Sequence, residues 1–211
     1  MMPTDPDLDQ EIHRLRGQGA AFAVATVVRT MASTAARPGA RALVDGDGRI
    51  LAGFLGGGCV RGAVGRAARA ALAEGVAANL GGGTHHAAPD RASGFCLFND
   101  VAVAVRALRV EHPDLFVFVL DTDAHQGDGT HAIFADDPRV FTYSVHVGRN
   151  FPARKVPGDC DVPLERYAAG PTYLDALRRT LEPAFLAFEP DLVFWVAGAD
   201  VHRDDRFGQL C

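Results

Sequence analysis

Uninterrupted apolar runs alternate with amphipathic stretches through the second half of the sequence. The runs are LFVFVL at 115–120, VFTYSVH at 140–146 and DLVFWVAGAD at 191–200. Because such runs suit strands buried on both faces, they predict a parallel sheet. Helical periodicity over 101–111 and 172–188 predicts two helices, the second as a crossover to the last strand. The alternation predicts an α/β architecture with ligands at the carboxyl ends of the strands.

The first part of the sequence has a different pattern. Residues 1–19 form a polar lead-in that is rich in Asp and Arg. Two β-branched stretches separated by turn signals follow from Ala20, and then a glycine turn, Gly-Gly-Gly-Cys at 56–59, leads into VRGAVGRAARAALAEG. Residues 20–75 are therefore predicted as strand, strand, glycine turn and helix, with Gly75 as the helix C-cap.

Composition narrows the possible partners and location. Hydrophobic residues make up 48% and charged residues 22%, as in soluble globular proteins. The net charge of −5 argues against a nucleic-acid or anionic-membrane surface. The sequence has no run of about 18 apolar residues, which a membrane-spanning helix would need. Its polar N-terminus does not resemble a signal peptide. Four scattered cysteines show no disulfide framework. We therefore expect a cytoplasmic protein without nucleic-acid or membrane partners.

Carboxylates and an imidazole follow two of the apolar runs. Asp121, Asp123 and His125 come directly after the first, where strand spacing projects them to one side, and Asp200 ends the third. Two parallel strands thus deliver carboxylate, imidazole and carboxylate to one crevice. One His and two carboxylates leave an open coordination position, which is the condition for metal-assisted hydrolysis.

A second pair of side chains supplies acid–base groups. Adjacent His85 and His86 can divide the tasks of base and oxyanion donor if a carboxylate orients each of them. Asp121 and Asp128 are available for this orientation. Each motif alone is more often a turn or a helix cap, but their joint occurrence favours the metal site.

Four motifs resemble consecutive motifs of the histone deacetylase superfamily, most closely its bacterial acetoin-utilisation and class IV branch. They are GGGTHHAAPDRASGFCLFND, VLDTDAHQGDGTHAIFADDPRVFTYSVH, NFPARK and VFWVAGADVHRDDRFG, and the resemblance runs from about 71 to 211. It implies a partial arginase/deacetylase-like parallel sheet flanked by helices, behind a small N-terminal α+β segment. It also implies a zinc-dependent deacetylase that acts on an acetylated protein lysine or a small acetyl amide.

The resemblance assigns roles to individual residues. The zinc (Zn²⁺) ligands would be Asp123, His125 and Asp200. The catalytic set would be His85 and His86 as base and electrostatic acid, in an order left open, held by Asp121 and Asp128. The acyl-lysine tunnel would be lined by Gly94 and Phe95, with Phe151 as the opposite wall. Main-chain oxygens around Asp121, Asp123 and His125, with Ser144, resemble the family's structural monovalent-cation site.

The sequence also departs from the family. Members continue past the Gly-Ala-Asp strand to a loop whose tyrosine hydroxyl serves the oxyanion, whereas the sequence ends at Cys211. Tyr143, Tyr167 and Tyr173 do not follow a Gly-Gly loop. We therefore expect residues 76–211 to form an incomplete zinc domain, slower by about 10²–10³ for the missing donor. Unfinished sheet edges would be open to association.

Thr30, Ser33-Thr34, Pro38-Gly39 and the glycine turn at 56–59 occur in one segment. Through them the segment at about 20–75 resembles the N-terminal domain of the xanthine dehydrogenase accessory family. This resemblance implies that Gly56, Gly57, Gly58 and Cys59 contact a molybdenum cofactor, and the amides of a glycine turn suit an anion. A molybdenum-cofactor maturation module, a plain glycine turn, and a chimera without function remain alternatives. AARAALAEG suits both families, so we infer that the two sequences join within it.

Overall fold

A computed structural model describes residues 6–26, 41–45, 50–53, 63–79 and 81–211 of the chain. The helices of this part are α1 (Pro6–Gly17), α2 (Ala63–Glu74), α3 (Asp100–Glu111), α4 (Asp128–Phe134) and α5 (Gly170–Phe188). The strands are β1 (Phe22–Thr26), β2 (Arg41–Asp45), β3 (Ile50–Gly53), β4 (Val117–Asp121), β5 (Val140–Val147), β6 (Cys160–Leu164) and β7 (Leu192–Val196). A short 3₁₀ turn, Ala199–Val201, follows β7.

The first three strands form a small antiparallel sheet in the order β1-β2-β3. They lie where the β-branched stretches predicted strands. Helix α1 packs against this sheet through Leu8, Ile12 and Leu15, which are buried together with Leu43 of β2. Residues 6–53 therefore include a hydrophobic cluster of their own.

The remaining strands form a parallel sheet in the order β6-β5-β4-β7. Helices α2 and α3 cover one face, where Val105 and Leu108 pack against Val119 of β4. Helix α5 covers part of the other face, where Leu177 packs in the same cluster as Phe118. The predicted α/β architecture, a parallel sheet flanked by helices, is confirmed.

Helix α2 packs against the parallel sheet. Ala68 is buried in the same cluster as α3, β4 and β7, with Val64, Ala71 and Leu72 against it. The join between two sequences that we infer within this helix stays a prediction.

Strand β7 differs from its prediction. Leu192, Phe194 and Val196 are buried, but Val193 and Trp195 point to the opposite face and are 40% and 67% exposed. The expectation of burial on both faces is therefore wrong here, because β7 is an edge strand of this sheet and helix α5 leaves its outer face open. An apolar cleft of about 480 Å³ runs between α5 and Val193. Association through this edge stays a prediction.

Two short elements have no counterpart in the sequence prediction. Strand β6 contains Asp161 and Pro163, which an edge strand tolerates because one side of its backbone needs no partner. Helix α4 starts at Asp128 and spans only seven residues, too few for a periodic pattern. Among the helices that the structure describes, none is long and apolar enough to cross a bilayer.

Candidate metal centre

Strands β4 and β7 end at the same level of the sheet, since Asp121 is paired with Val196. The segments that follow bring Asp123, His125 and Asp200 together, with one ligand atom of each within 4.8 Å of the others. His125 Nδ1 lies 3.0 Å from Asp123 Oδ1 and 2.7 Å from Asp200 Oδ2. Because β4 ends at Asp121, Asp123 and His125 are placed by the loop and not by strand alternation.

Main-chain amides orient the carboxylates of this centre. Asp121 Oδ1 accepts from the Asp123 amide at 3.0 Å, and Asp123 Oδ1 accepts from the His125 amide at 2.9 Å. Asp200 Oδ1 accepts from the Ala124 amide at 3.0 Å, which leaves its Oδ2 facing His125. The loop backbone thus fixes the carboxylates before any ligand arrives.

A glycine allows the two segments to approach each other. A Cβ on Gly198 would lie 2.4 Å from Asp123 Oδ2, so a larger residue there would displace this carboxylate.

The electrostatics of the centre favour a cation. Burial lowers the pKa of His125, but hydrogen bonds and charge from Asp123 and Asp200 outweigh it and raise the pKa to about 9. Burial raises the pKa of Asp123, yet the bond from His125 brings it well below its ordinary value. One imidazole nitrogen and two carboxylates form a donor set that suits zinc. A proton on His125 offsets only part of the negative charge of the two carboxylates, which a divalent ion would balance in full.

The tandem histidines form two buried His–Asp pairs. His85 Nδ1 lies 2.5 Å from Asp121 Oδ2, and His86 Nδ1 lies 2.7 Å from Asp128 Oδ1. The two rings are 4.0 Å apart, and His85 Nε2 is 3.8 Å from Asp123 Oδ1. Because Nδ1 of each ring faces a carboxylate, Nε2 is the ring nitrogen that remains available for proton transfer.

The two pairs differ in charge. Burial lowers the pKa of His85, but Asp121 outweighs it and raises the pKa to about 9. For His86, burial dominates over the bond to Asp128, so its pKa lies below the ordinary value. The surroundings therefore favour the imidazolium form at His85 and the neutral imidazole at His86.

Buried polar side chains that the sequence interpretation missed hold the histidine loop. Thr130 donates its amide to the His85 carbonyl at 3.0 Å, and Asn99 Nδ2 donates to Thr130 Oγ1 at 2.9 Å. Asn99 also caps α3, since its Oδ1 accepts from the Ala102 amide at 2.9 Å. An Asn directly before a helical pattern is a capping signal, and that signal could have found it.

The residues predicted as tunnel walls lie beside His86. A Cβ on Gly94 would lie 2.2 Å from His86 Cδ2, so this position requires glycine. The Phe151 ring meets the His86 ring edge-on at 4.8 Å. Phe95 has a φ of 65° and is 58% exposed. Whether these residues line an acyl tunnel stays a prediction.

Other predicted residues lie elsewhere. Ser144 is fully buried and its Oγ is 3.0 Å from His146 Nδ1, while the monovalent-cation site stays a prediction. The Tyr143 hydroxyl bonds to Thr180, and the Tyr173 hydroxyl donates to the Thr122 carbonyl. Gly56, Gly57, Gly58 and Cys59 lie outside the described residues.

Known proteins resemble this chain over its larger part. It matches the histone deacetylase domain over residues 43–211. It is 46% identical over 143 residues to an uncharacterized protein of Picosynechococcus sp., covering 68% of this chain and 48% of that protein. It is 39% identical over 147 residues to the acetoin utilization protein AcuC of Staphylococcus aureus, covering 63% and 37%.

Solved structures give a similar result. An acetylpolyamine aminohydrolase from Burkholderia pseudomallei superposes with a TM-score of 0.59 at 30% identity, covering 70% of this chain and 47% of that one. The HDA15 HD domain superposes with a TM-score of 0.58 at 26% identity, covering 69% and 47%. The chain thus spans about half or less of the length of these relatives. The domain match begins inside the segment at 20–75, whose resemblance to the xanthine dehydrogenase accessory family stays a prediction.

Proposed function

Because the chain belongs to the histone deacetylase domain family, we propose that it is a zinc-dependent deacetylase that hydrolyses acetyl-lysine or a similar acetyl amide. One observation carries the proposal. His125 Nδ1 lies within 3.0 Å of carboxylate oxygens of both Asp123 and Asp200, beside two buried His–Asp pairs. A relative of this fold is named for the hydrolysis of acetylpolyamines, which are also acetyl amides.

The metal would be held by Asp123, His125 and Asp200, whose nitrogen and oxygen donors fit zinc. A bound zinc ion supplies Lewis-acid activation of the amide carbonyl and of the attacking water. The main-chain amides that bind one oxygen of each carboxylate keep the donors in place. We therefore assign metal binding to the two loops that follow β4 and β7.

Proton transfer is assigned to His86. Its lowered pKa leaves Nε2 unprotonated at neutral pH, so it can accept a proton from the attacking water. Asp128 stabilises the imidazolium that forms. The same proton then passes to the leaving nitrogen, so that acetate and a free amine are released.

His85 is assigned an electrostatic role. The hydrogen bond and charge of Asp121 raise its pKa to about 9, which favours the cationic form at neutral pH. A fixed positive charge beside the reacting carbonyl stabilises the negative charge that develops on oxygen.

Titration of the metal-stripped chain with zinc tests the metal site. Since the pKa of His125 is about 9, this side chain carries a proton at pH 7 that zinc must displace. We expect one zinc per chain, release of about one proton at pH 7, and affinity that rises about tenfold per pH unit below pH 9. Calorimetry in two buffers of different ionisation enthalpy measures the proton count. Binding without proton release would contradict the assignment.

Hydrolysis by the zinc-loaded chain tests the activity. An acetyl-lysine peptide and an acetylpolyamine should both be assayed, with acetate release as the readout and a hydroxamate as inhibitor. We expect turnover that the hydroxamate blocks. A chain that binds zinc but neither turns over these amides nor binds the hydroxamate would rule out the proposed function. The molybdenum-cofactor alternative stays a prediction, since no described residue bears on it.

A further inference from the structure

The segment 150–155, NFPARK, lies between β5 and β6 in the sequence and borders the metal centre through Phe151. It carries Phe151, whose ring lies 4.8 Å from the His86 ring and 6.4 Å from the His125 ring. The segment has no regular secondary structure, so neither a helix nor a sheet ladder fixes its backbone. Apart from the bond that the Asn150 amide donates to the Val147 carbonyl at 3.2 Å, side-chain hydrogen bonds hold this segment.

Lys155, at the end of the segment 150–155, forms hydrogen bonds back to the start of the segment. Its Nζ donates to the carbonyl of Asn150 at 3.0 Å and to the carbonyl of Phe151 at 3.3 Å. The ammonium thus closes the turn on two successive carbonyls. Burial lowers the pKa of Lys155, while the charges of Asp128 and Asp161 oppose that effect. Hydrogen bonds from a charged donor are stronger than neutral ones.

Asn150 binds the same turn from the other side. Its Nδ2 donates to the Phe207 carbonyl at 2.6 Å and more weakly to the Gly208 carbonyl at 3.4 Å. Its Oδ1 accepts from the Phe151 amide at 2.8 Å. Phe207 and Gly208 belong to the loop that follows Asp200, so one amide side chain links Phe151 to the metal-ligand loop.

Gln126 anchors the end of the segment to the other ligand loop. Its Nε2 donates to the Val156 carbonyl and its Oε1 accepts from the Val156 amide, both at 3.0 Å. Gln126 is buried and directly follows His125. The segment is therefore tied at both ends to the loops that carry the metal ligands.

We propose that Lys155 and Asn150 are positioning residues that fix Phe151 as a wall of the acyl-lysine tunnel and thereby set which substrate chains fit beside it. The assignment rests on the proposed deacetylase function. Without Lys155 the two carbonyls lose their donor, and Phe151 gains freedom to swing from His86. A mobile wall selects less strongly among chains that pass it, while the metal ligands themselves are untouched.

Two hydroxamates of different length test this assignment on the zinc-loaded full chain. Acetohydroxamate carries only a methyl group beyond its metal-binding head, whereas the chain of a linear aryl-alkyl hydroxamate would extend along Phe151. In Lys155→Met and in Asn150→Ala, we expect the Kd of the long compound to rise about tenfold and that of acetohydroxamate to stay unchanged. Calorimetry measures both, and metal analysis checks that each variant keeps its zinc.

Matched variants sharpen the result. Arg154→Met removes the neighbouring basic side chain, which is exposed, and should leave both Kd values unchanged. Lys155→Arg keeps donors for the two carbonyls and should restore most of the long-chain affinity.

Three outcomes would overturn the assignment. Long-chain affinity in Lys155→Met and Asn150→Ala within twofold of the unaltered chain would show that the wall needs neither residue. Equal loss of both hydroxamates together with zinc would show a general structural role. If the unaltered chain binds neither compound, the proposed function fails and this assignment fails with it.

Discussion

The double variant Asp123→Ala/His125→Ala should lose its zinc, falling from about one ion per chain to below about 0.1. The substitution removes two of three donors and leaves a single carboxylate, Asp200, at the centre. Changes to residues that merely orient a ligand cost about 10–100-fold in metal affinity, so removal of two ligands should cost more. Metal analysis after dialysis against zinc-free buffer measures the loss, and hydroxamate binding should disappear with it.

A matched control uses a second histidine–aspartate pair close in sequence. His202 Nδ1 and Asp204 Oδ2 are 3.8 Å apart, and both side chains are exposed. His202→Ala/Asp204→Ala should keep its zinc, because neither residue belongs to the cluster. Zinc retained in the Asp123→Ala/His125→Ala chain would mean that other residues hold the ion.

His86→Ala should lower kcat by about 10²–10⁴-fold without loss of zinc. The variant removes the neutral imidazole that we assign as proton acceptor, while Asp123, His125 and Asp200 stay in place. Steady-state kinetics on an acetyl-lysine peptide, with metal analysis of the same sample, measures both quantities.

The control for this variant is His112→Ala, which removes an exposed imidazole at the end of α3. Its kcat should match that of the unaltered chain. A His86→Ala chain that keeps its zinc and loses less than about tenfold in kcat would place the base elsewhere. In that case, the kcat of His85→Ala shows whether His85 is the proton acceptor instead.

The sheet could be predicted where burial is symmetrical. Strands β4 and β5 are apolar and lie in the centre of the sheet, so their uninterrupted runs correctly indicated strands covered on both faces. The same rule failed for β7, because its position at the edge depends on which strands pair. Strand β6 was missed since Asp161 and Pro163 break its pattern, and only the register with β5 makes it a strand.

The proximity of the candidate side chains could be predicted, whereas their electrostatics could not. Short spacings in one loop and a Gly-Ala-Asp strand end indicated which side chains meet. Which histidine is charged could not be predicted, because it depends on how burial balances against Asp121 and Asp128. The contribution of Gln126 was likewise hidden, since a glutamine between a histidine and a glycine gives no sign that its amide will anchor a segment 30 positions away.

Because β4 and β7 are aligned, a metal ion bound at their ends would also link the two strands. Ala124 and Asp200 are 76 positions apart along the chain, yet their loops meet at one edge of the sheet. An ion held by both loops would act as a reversible cross-link that closes this long stretch of polypeptide, much as a disulfide does. Strand β7 has β4 as its neighbour in the parallel sheet. Loading the ion would therefore fasten the outermost strand to the centre of the sheet.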